Sequence, residues 1–171
     1  MIDHQFLREH RPECSYLFGR FMVEHLIRVI DRFEGDVIAA VVLGTIAQYN
    51  VRRFYDEVVV SSQESFIELV ARGAQLPHIR PCNAMSVSES TGIPRETVRR
   101  KVKWLVSKGW IVQAGRDKLY LTPGIGEVFA EFDSKMMEEF GVLLGNLERA
   151  RERVTVPRAK TLAVAGAARR R

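Results

Sequence analysis

The chain has 171 residues, of which 46% are hydrophobic and 27% are charged, and its formal net charge is +5. This length predicts one compact domain with helical extensions. No apolar run reaches the ~20 residues of a membrane span, and the first residues mix both charges, unlike a secretory signal. We therefore expect a soluble, cytoplasmic protein without a membrane partner.

The positive charge is concentrated in two parts of the sequence. Residues 80–120 carry nine Lys and Arg against three Asp and Glu, and residues 151–171 carry seven against one. Residues 1–79 and 121–150 are both net acidic. This separation favours a polyanionic partner for the two basic segments.

Cysteine and histidine spacing offers no sign of catalysis. Cys14 and Cys82 lack the paired spacing of a zinc site, and the four histidines lack the spacing of metal ligands or of a catalytic triad. We expect both thiols to be small buried or half-buried side chains rather than redox sensors. The sequence thus predicts no metal, no cofactor and no enzymatic activity.

The N-terminal part of the chain predicts two helices. Apolar side chains recur at helical spacing from 16 to 33, opposite a charged face. Gly35 ends this helix, and Asp36 is an N-cap for a second, mostly apolar helix that begins at Val37. The pattern then weakens: we expect a short extended piece at 58–60, a helical turn at 65–72 and a loop at 73–81.

Two short helices around a glycine turn follow. Asn83 is an N-cap for a helix that ends near Thr91, and Gly92 can adopt the positive φ of a tight turn. Pro94 begins the next helix, where its missing N–H has no cost. The inward face of that helix is predicted to comprise Val98, Val102, Leu105 and Val106. Its outward face is predicted to comprise Arg95, Thr97, Arg99, Arg100, Lys101 and Lys103.

A hairpin and a long helix complete the pattern. Residues 110–114 and 118–122 predict two short strands about the turn Gly115-Arg-Asp117. From Gly126 onward, apolar residues recur every three or four positions, as in a coiled-coil seam. Residues 151–171 are typical of an unstructured basic tail.

This order of elements resembles winged helix-turn-helix DNA-binding domains over roughly residues 36–126. It is most similar to bacterial MarR-type transcriptional regulators, because the hairpin continues into Leu121-Thr-Pro-Gly-Ile-Gly-Glu-Val-Phe129. The run Gly-Ile-Pro-Arg-Glu-Thr-Val-Arg-Arg-Lys-Val also resembles recognition helices of GntR-type regulators. The chain departs from the MarR pattern in its short wing and in the two dozen or so unassigned residues before Asn83.

The resemblance implies a fold class and a domain order. The fold would be mainly α, a winged helix-turn-helix with a small β-hairpin wing and flanking dimerisation helices. The predicted parts are an N-terminal helix at 1–35, a DNA-binding domain at 36–126, a C-terminal dimerisation helix at 127–150 and a disordered tail at 151–171. Both families imply a homodimer on an operator, which would be an imperfect palindrome in double-stranded DNA.

Groove chemistry then suggests roles for individual residues. The first turn of the second helix would face base edges, so the candidate base-reading residues are Arg95, Thr97 and Arg99. The candidate phosphate contacts are Ser86, Ser88, Arg100, Lys101, Lys103 and Lys108. The wing residues Arg116 and Lys118 are candidates for a minor groove. Glu96 either pairs with Arg100 or accepts from cytosine N4; we favour the pairing. The alternative for the whole cationic cluster is a solvated helix face.

Apolar stripes on the first and last helices predict a homodimer interface. Its candidate residues are Phe18, Phe21, Phe129, Phe132, Met136, Phe140, Leu143 and Leu147. The alternative is that both helices pack onto their own domain. Some of the same aromatic and methionine side chains could line a pocket for a small-molecule effector, although core packing explains them as well.

Two further alternatives remain open at this stage. The basic tail is a DNA-binding arm, a solvated end without a role, or a remnant of protein production. The winged helix could also serve protein–protein contacts or RNA binding instead of operator recognition. A titration against duplex DNA and RNA at two salt concentrations separates these functions.

Overall fold

The computed structural model describes residues 2–54 and 80–155 of the chain. The fold is mainly helical with one small antiparallel sheet, as predicted. The helices are α1 (His4–Glu9), α2 (Arg11–Arg32), α3 (Val37–Phe54), α4 (Ala84–Thr91), α5 (Arg95–Ser107) and α6 (Ile125–Thr155). The strands are β1 (Ile111–Ala114) and β2 (Lys118–Leu121). Among the helices described, none has the length and apolar character needed to span a bilayer.

Several element boundaries differ from the predicted ones. The first long helix begins at Arg11, five residues before the predicted start, and a separate short helix precedes it. The last helix continues to Thr155, so residues 151–155 of the predicted unstructured tail are helical. The elements predicted at 58–60 and 65–72, nearly all of the loop at 73–81, and the remainder of the tail lie outside the described residues.

The described residues form two compact units. One lies within Met1–Ile27 and Glu131–Arg171, and the other lies within Arg28–Ala130. The division falls inside α2 and inside α6, which each contribute to both units. The domain limits proposed from the sequence stay a prediction.

Local sequence explains where the helices of the 28–130 unit begin. The Asp36 carboxylate accepts a hydrogen bond from the Ala39 N–H at 3.0 Å, which caps α3 as predicted. The side-chain oxygen of Asn83, Oδ1, accepts from the backbone N–H groups of Met85 and Ser86, both at 2.9 Å, and caps α4. Each cap satisfies N–H groups that have no partner within the helix.

The turn between α4 and α5 depends on glycine. Gly92 has φ 71° and closes α4 by donating its N–H to the carbonyl of Ser88 at 2.9 Å. The Ser88 hydroxyl donates to the carbonyl of Ile93 at 2.7 Å and so links the end of α4 to the start of α5. These bonds fix the approach of α5.

The core of the 28–130 unit joins the helices to the hairpin. Val42 and Ile46 of α3, Val87 of α4, and Val98 and Leu105 of α5 are fully buried. Val106 was predicted to face this core but is 40% exposed, so that prediction was wrong. In α5 the buried positions 98, 102 and 105 follow one narrow stripe, and 106 lies beside it.

The hairpin has a further backbone partner on the outer edge of β2. Strands β1 and β2 pair antiparallel, with Ile111 opposite Leu121 and Ala114 opposite Lys118. On the other edge of β2, the Leu119 N–H donates to the Cys82 carbonyl at 2.9 Å, which forms an isolated β-bridge.

Both cysteines are buried free thiols, in line with the sequence prediction. Burial raises the pKa of the Cys82 thiol to about 11 and also raises the pKa of Cys14.

An aromatic cluster anchors the start of β1. Trp110 lies 5.5 Å from Trp104, 5.2 Å from Phe33 and 5.0 Å from Phe129 between ring centroids. The Arg32 guanidinium lies 4.7 Å from the Phe129 ring and 5.1 Å from the Trp110 ring, and it donates to the Val128 carbonyl at 2.8 Å. Both tryptophans therefore act in packing, as the sequence indicated.

In the other unit, α2 packs against α6. Phe21 lies 5.9 Å from Phe140, and His25 lies 5.6 Å from Phe132, between ring centroids. Leu143 is buried, and Leu147 packs against a small core of Phe6, Cys14 and Ala150. Much of the apolar seam on α6 is thus covered within the same chain.

Candidate nucleic-acid interface

A groove of about 540 Å³ runs between α5 and the hairpin. Arg95, Arg99 and Lys103 line the helix side, because residues four apart lie on one face of a helix. Arg116 lies at the hairpin side. The groove also holds the carboxylates of Glu96 and Asp117, so four cationic side chains face two acidic ones. The groove is net positive.

Most of these cations are available to a ligand. Within the described part of the chain, no carboxylate forms an ion pair with Arg95, Lys103 or Arg116. Arg99 does have a partner, because its Nη1 lies 3.5 Å from Oε2 of Glu96. The sequence favoured a pair between Glu96 and Arg100, and that expectation was wrong by one position.

Arg100 and Lys101 lie on a different side of α5. Lys101 Nζ contacts Asp36 Oδ2 at 2.5 Å, with side chains 20% and 26% exposed. The charge of Arg100 also acts on Asp36. Lys101 therefore does not lie on the outward face predicted for it. Within one turn of α5, Arg99 and Lys103 face the groove, whereas Lys101 faces Asp36 at the start of α3.

Of the other predicted phosphate contacts, Lys108, Ser86 and Ser88 also have partners within the chain. Lys108 Nζ contacts Glu34 Oε1 at 2.5 Å and lies 5.1 Å above the Trp104 ring. The Ser86 hydroxyl donates to Asn83 Oδ1 at 3.2 Å, while Ser88 bonds Ile93 as described above. These hydroxyls serve the cap and the turn in the unbound chain, and their role as phosphate contacts stays a prediction.

Gln113 is a groove residue that sequence reasoning missed. It lies on β1, lines the groove and donates its side-chain N–H to the Arg116 carbonyl at 3.3 Å. Gln113 lies two positions after buried Ile111 and opposite Leu119, so strand alternation places all three on the face turned toward α5. That alternation was the available signal. Of the other predicted contacts, half-buried Thr97 and exposed Lys118 do not line the groove.

The predicted dimer residues fall into two groups. Phe129 packs in the aromatic cluster, and Leu143 and Leu147 are covered within the chain, so their burial needs no second copy. Phe21, Phe132 and Met136 are half-buried, whereas Phe18 and Phe140 are exposed. The 1–27 and 131–171 unit exposes further large apolar side chains on α2 and α6: Tyr16, Val23, Leu26, Ile27, Met137, Val142 and Leu144.

The ion pair between Asp36 and Lys101 predicts an acid-sensitive contribution to stability. Burial alone would raise the pKa of Asp36, but the hydrogen bonds from Lys101 and the Ala39 N–H, with the charges of Lys101 and Arg100, lower it on balance. A lowered folded pKa stabilises the protein fully above the unfolded value of ~3.9 and less as pH falls through the folded value.

We expect Asp36→Asn, which keeps the helix cap, to lower the free energy of unfolding by about 1 kcal/mol at neutral pH. The difference from the wild type should shrink as pH falls below ~3.9 and should close once the folded state also binds the proton. Urea unfolding over a descending pH series measures it. For Lys101→Met, the difference in free energy of unfolding from the wild type should shrink in the same way. A difference that stays constant with pH for both variants would contradict the stabilising ion pair between Asp36 and Lys101.

Comparison with known proteins gave no match among protein-family models, curated proteins or solved structures. In residues 2–54 and 80–155, no cluster of three or more His, Cys, Asp or Glu side chains could hold a metal ion. The function proposed below therefore rests on the geometry and charge of the groove.

Proposed function

We propose that this protein is a sequence-specific regulator of transcription that binds double-stranded DNA as a homodimer in the cytoplasm. The observation that carries the proposal is the cationic groove, in which Arg95, Lys103 and Arg116 have no acidic partner among the described residues. Unpaired cations on both walls attract the phosphates of a nucleic acid and release its counterions.

The order of elements supports a winged helix-turn-helix. Helix α3 is followed by α4, a glycine turn and the cationic helix α5, and a two-stranded hairpin comes next. The bridge between Cys82 and Leu119 adds a third segment to the hairpin edge before α4. In such domains α5 would enter a major groove, and the hairpin would reach the adjacent minor groove, where Arg116 and Lys118 are the candidate contacts.

A salt-dependent binding titration tests this function. Mixed duplex DNA should bind more tightly than structured RNA, and log K should fall linearly with log salt concentration. Selection from a random duplex pool should then return an imperfect palindrome. Preference for RNA, or binding without a salt response, would favour the alternative of a winged helix that binds RNA or protein.

The homodimer is supported by the exposed apolar side chains of α2 and α6. Tyr16, Val23 and Ile27 lie on one face of α2, and Met137, Phe140 and Leu144 follow one face of α6. Exposed apolar side chains that share a helix face favour an interaction site there. Sedimentation at micromolar concentration should show a dimer, whereas a stable monomer would remove the two-fold operator from the proposal.

Effector control has weaker support. Phe21 and Leu143 line a cleft of about 170 Å³ between α2 and α6, which is smaller than the ~300 Å³ at which most small-molecule pockets begin. Phe21 and Phe132 are engaged in aromatic packing. The proposal therefore does not include an effector. A thermal-shift screen with aromatic acids and lipophilic metabolites tests this, and a ligand that raises Tm would add effector control.

A further inference from the structure

Glu96 and Arg99 place a hydrogen-bond acceptor beside a hydrogen-bond donor in the cationic groove. Their atoms Oε2 and Nη1 are 3.5 Å apart, and their side chains are 77% and 52% exposed. Glu96 lies in the first turn of α5, and Arg99 follows it three residues later on the same helix. Both line the groove with Arg95 and Lys103.

The energetics of the pair do not explain an acidic residue among these cations. An exposed ion pair three residues apart stabilises a helix by only ~0.2–0.5 kcal/mol. A carboxylate here also lowers the positive potential that attracts phosphate. A Glu in the first turn does interact favourably with the helix dipole, so the experiment must separate that role from recognition.

The pair matches the major-groove edge of one base pair. A carboxylate only accepts hydrogen bonds, and a guanidinium only donates them. A C·G pair presents the cytosine N4 donor beside the guanine O6 and N7 acceptors, in that order across the groove. A T·A pair presents an acceptor beside a donor and would oppose like groups on both sides. An A·T pair presents the adenine N6 donor beside the thymine O4 acceptor, but the thymine methyl group takes the place of guanine N7, so Arg99 would make one bond instead of two.

We infer that Glu96 and Arg99 together read one C·G base pair, with Glu96 accepting from cytosine N4 and Arg99 donating to guanine. This inference rests on the proposed DNA-binding function and adds a determinant of its specificity. Arg99 is then a base contact, and Lys103 is left to hold phosphate.

The test is selection from a random duplex pool with the wild type, Glu96→Ala and Glu96→Gln. The wild type should prefer cytosine at one position of each half-site by at least ~5-fold over other bases. Glu96→Ala should lose that preference and retain the others. Glu96→Gln should shift it toward adenine, because a carboxamide both donates and accepts. Glu89→Gln is the matched control, since Glu89 is exposed on α4 outside the groove.

The outcomes separate this inference from the proposed function. If the wild type binds duplex DNA with a salt response but both Glu96 variants select the same sequence, the inference fails and the function stands. If both variants only bind all sequences more tightly, Glu96 acts as a charge and the inference also fails. If the wild type shows neither selection nor salt-dependent binding, the proposed function itself fails.

Discussion

Replacing Lys103 and Arg116 together with alanine should weaken binding to duplex DNA by about 10- to 100-fold near ~0.1 M salt. These two cations lie on opposite walls of the groove and have no ion-pair partner among the residues described. Each phosphate contact contributes ~0.9 to the slope of log K against log salt concentration, so the slope should fall by about 1.8. Fluorescence anisotropy over a salt series measures both quantities.

The matched control removes the same charge elsewhere. Lys135 and Arg20 are exposed, lie on α6 and α2, and pair only with near neighbours on their own helices. The double variant Lys135→Ala and Arg20→Ala therefore loses two positive charges outside the groove, and its salt slope should stay within ~0.3 of the wild type. Equal losses in the two double variants would mean that net charge, rather than the groove, attracts DNA.

Sequence patterns captured the local structure around this groove well. Asn83 caps the start of α4 and Gly92 ends it, as expected, because a single residue decides a helix cap or a left-handed turn. The stripe of Val98, Val102 and Leu105 fixed the buried face of α5. The hairpin followed from two short strands and a glycine turn.

Long-range electrostatics could not be predicted from the same patterns. Lys101 and Lys108 look like surface cations in the sequence, yet they contact Asp36 and Glu34, which lie more than sixty positions earlier. Periodicity assigns a residue to a helix face but cannot say which distant carboxylate meets that face. For the same reason the apolar seam on α6 led to the prediction of an exposed dimer interface, although Leu143 is buried within its own chain.

Asn50 is the residue whose role was least visible in the sequence. It is the fully buried polar side chain of the described core, and its amide bonds three backbone groups. The Asn50 Nδ2 donates to the Leu119 carbonyl at 3.2 Å and to the Arg80 carbonyl at 2.9 Å, and its Oδ1 accepts from the Leu121 N–H at 2.8 Å. The amide thereby takes the place of part of a third strand along the outer edge of β2, next to the bridge between Cys82 and Leu119.

We expect Asn50→Ala to lower the free energy of unfolding by about 3 kcal/mol, because each buried backbone group left without a partner costs ~1–3 kcal/mol. A chain of this length should lose about 6–12 °C in Tm. Urea denaturation and thermal unfolding measure these changes. Asn50→Asp should also be destabilising, since a carboxylate keeps the bond from Leu121 but can no longer donate to Arg80 or Leu119.

Asn146→Ala is the control for this prediction. Asn146 also uses its side-chain oxygen, but its partner is the exposed Arg149 guanidinium at 2.8 Å. Removing an exposed contact leaves both groups to water, so the cost should stay below ~0.5 kcal/mol. Because Asn50 holds the strand that follows the hairpin turn, Asn50→Ala should also weaken the proposed DNA binding at temperatures where the chain is still folded. Equal stability of Asn50→Ala and Asn146→Ala would show that the edge of β2 is satisfied without the buried amide.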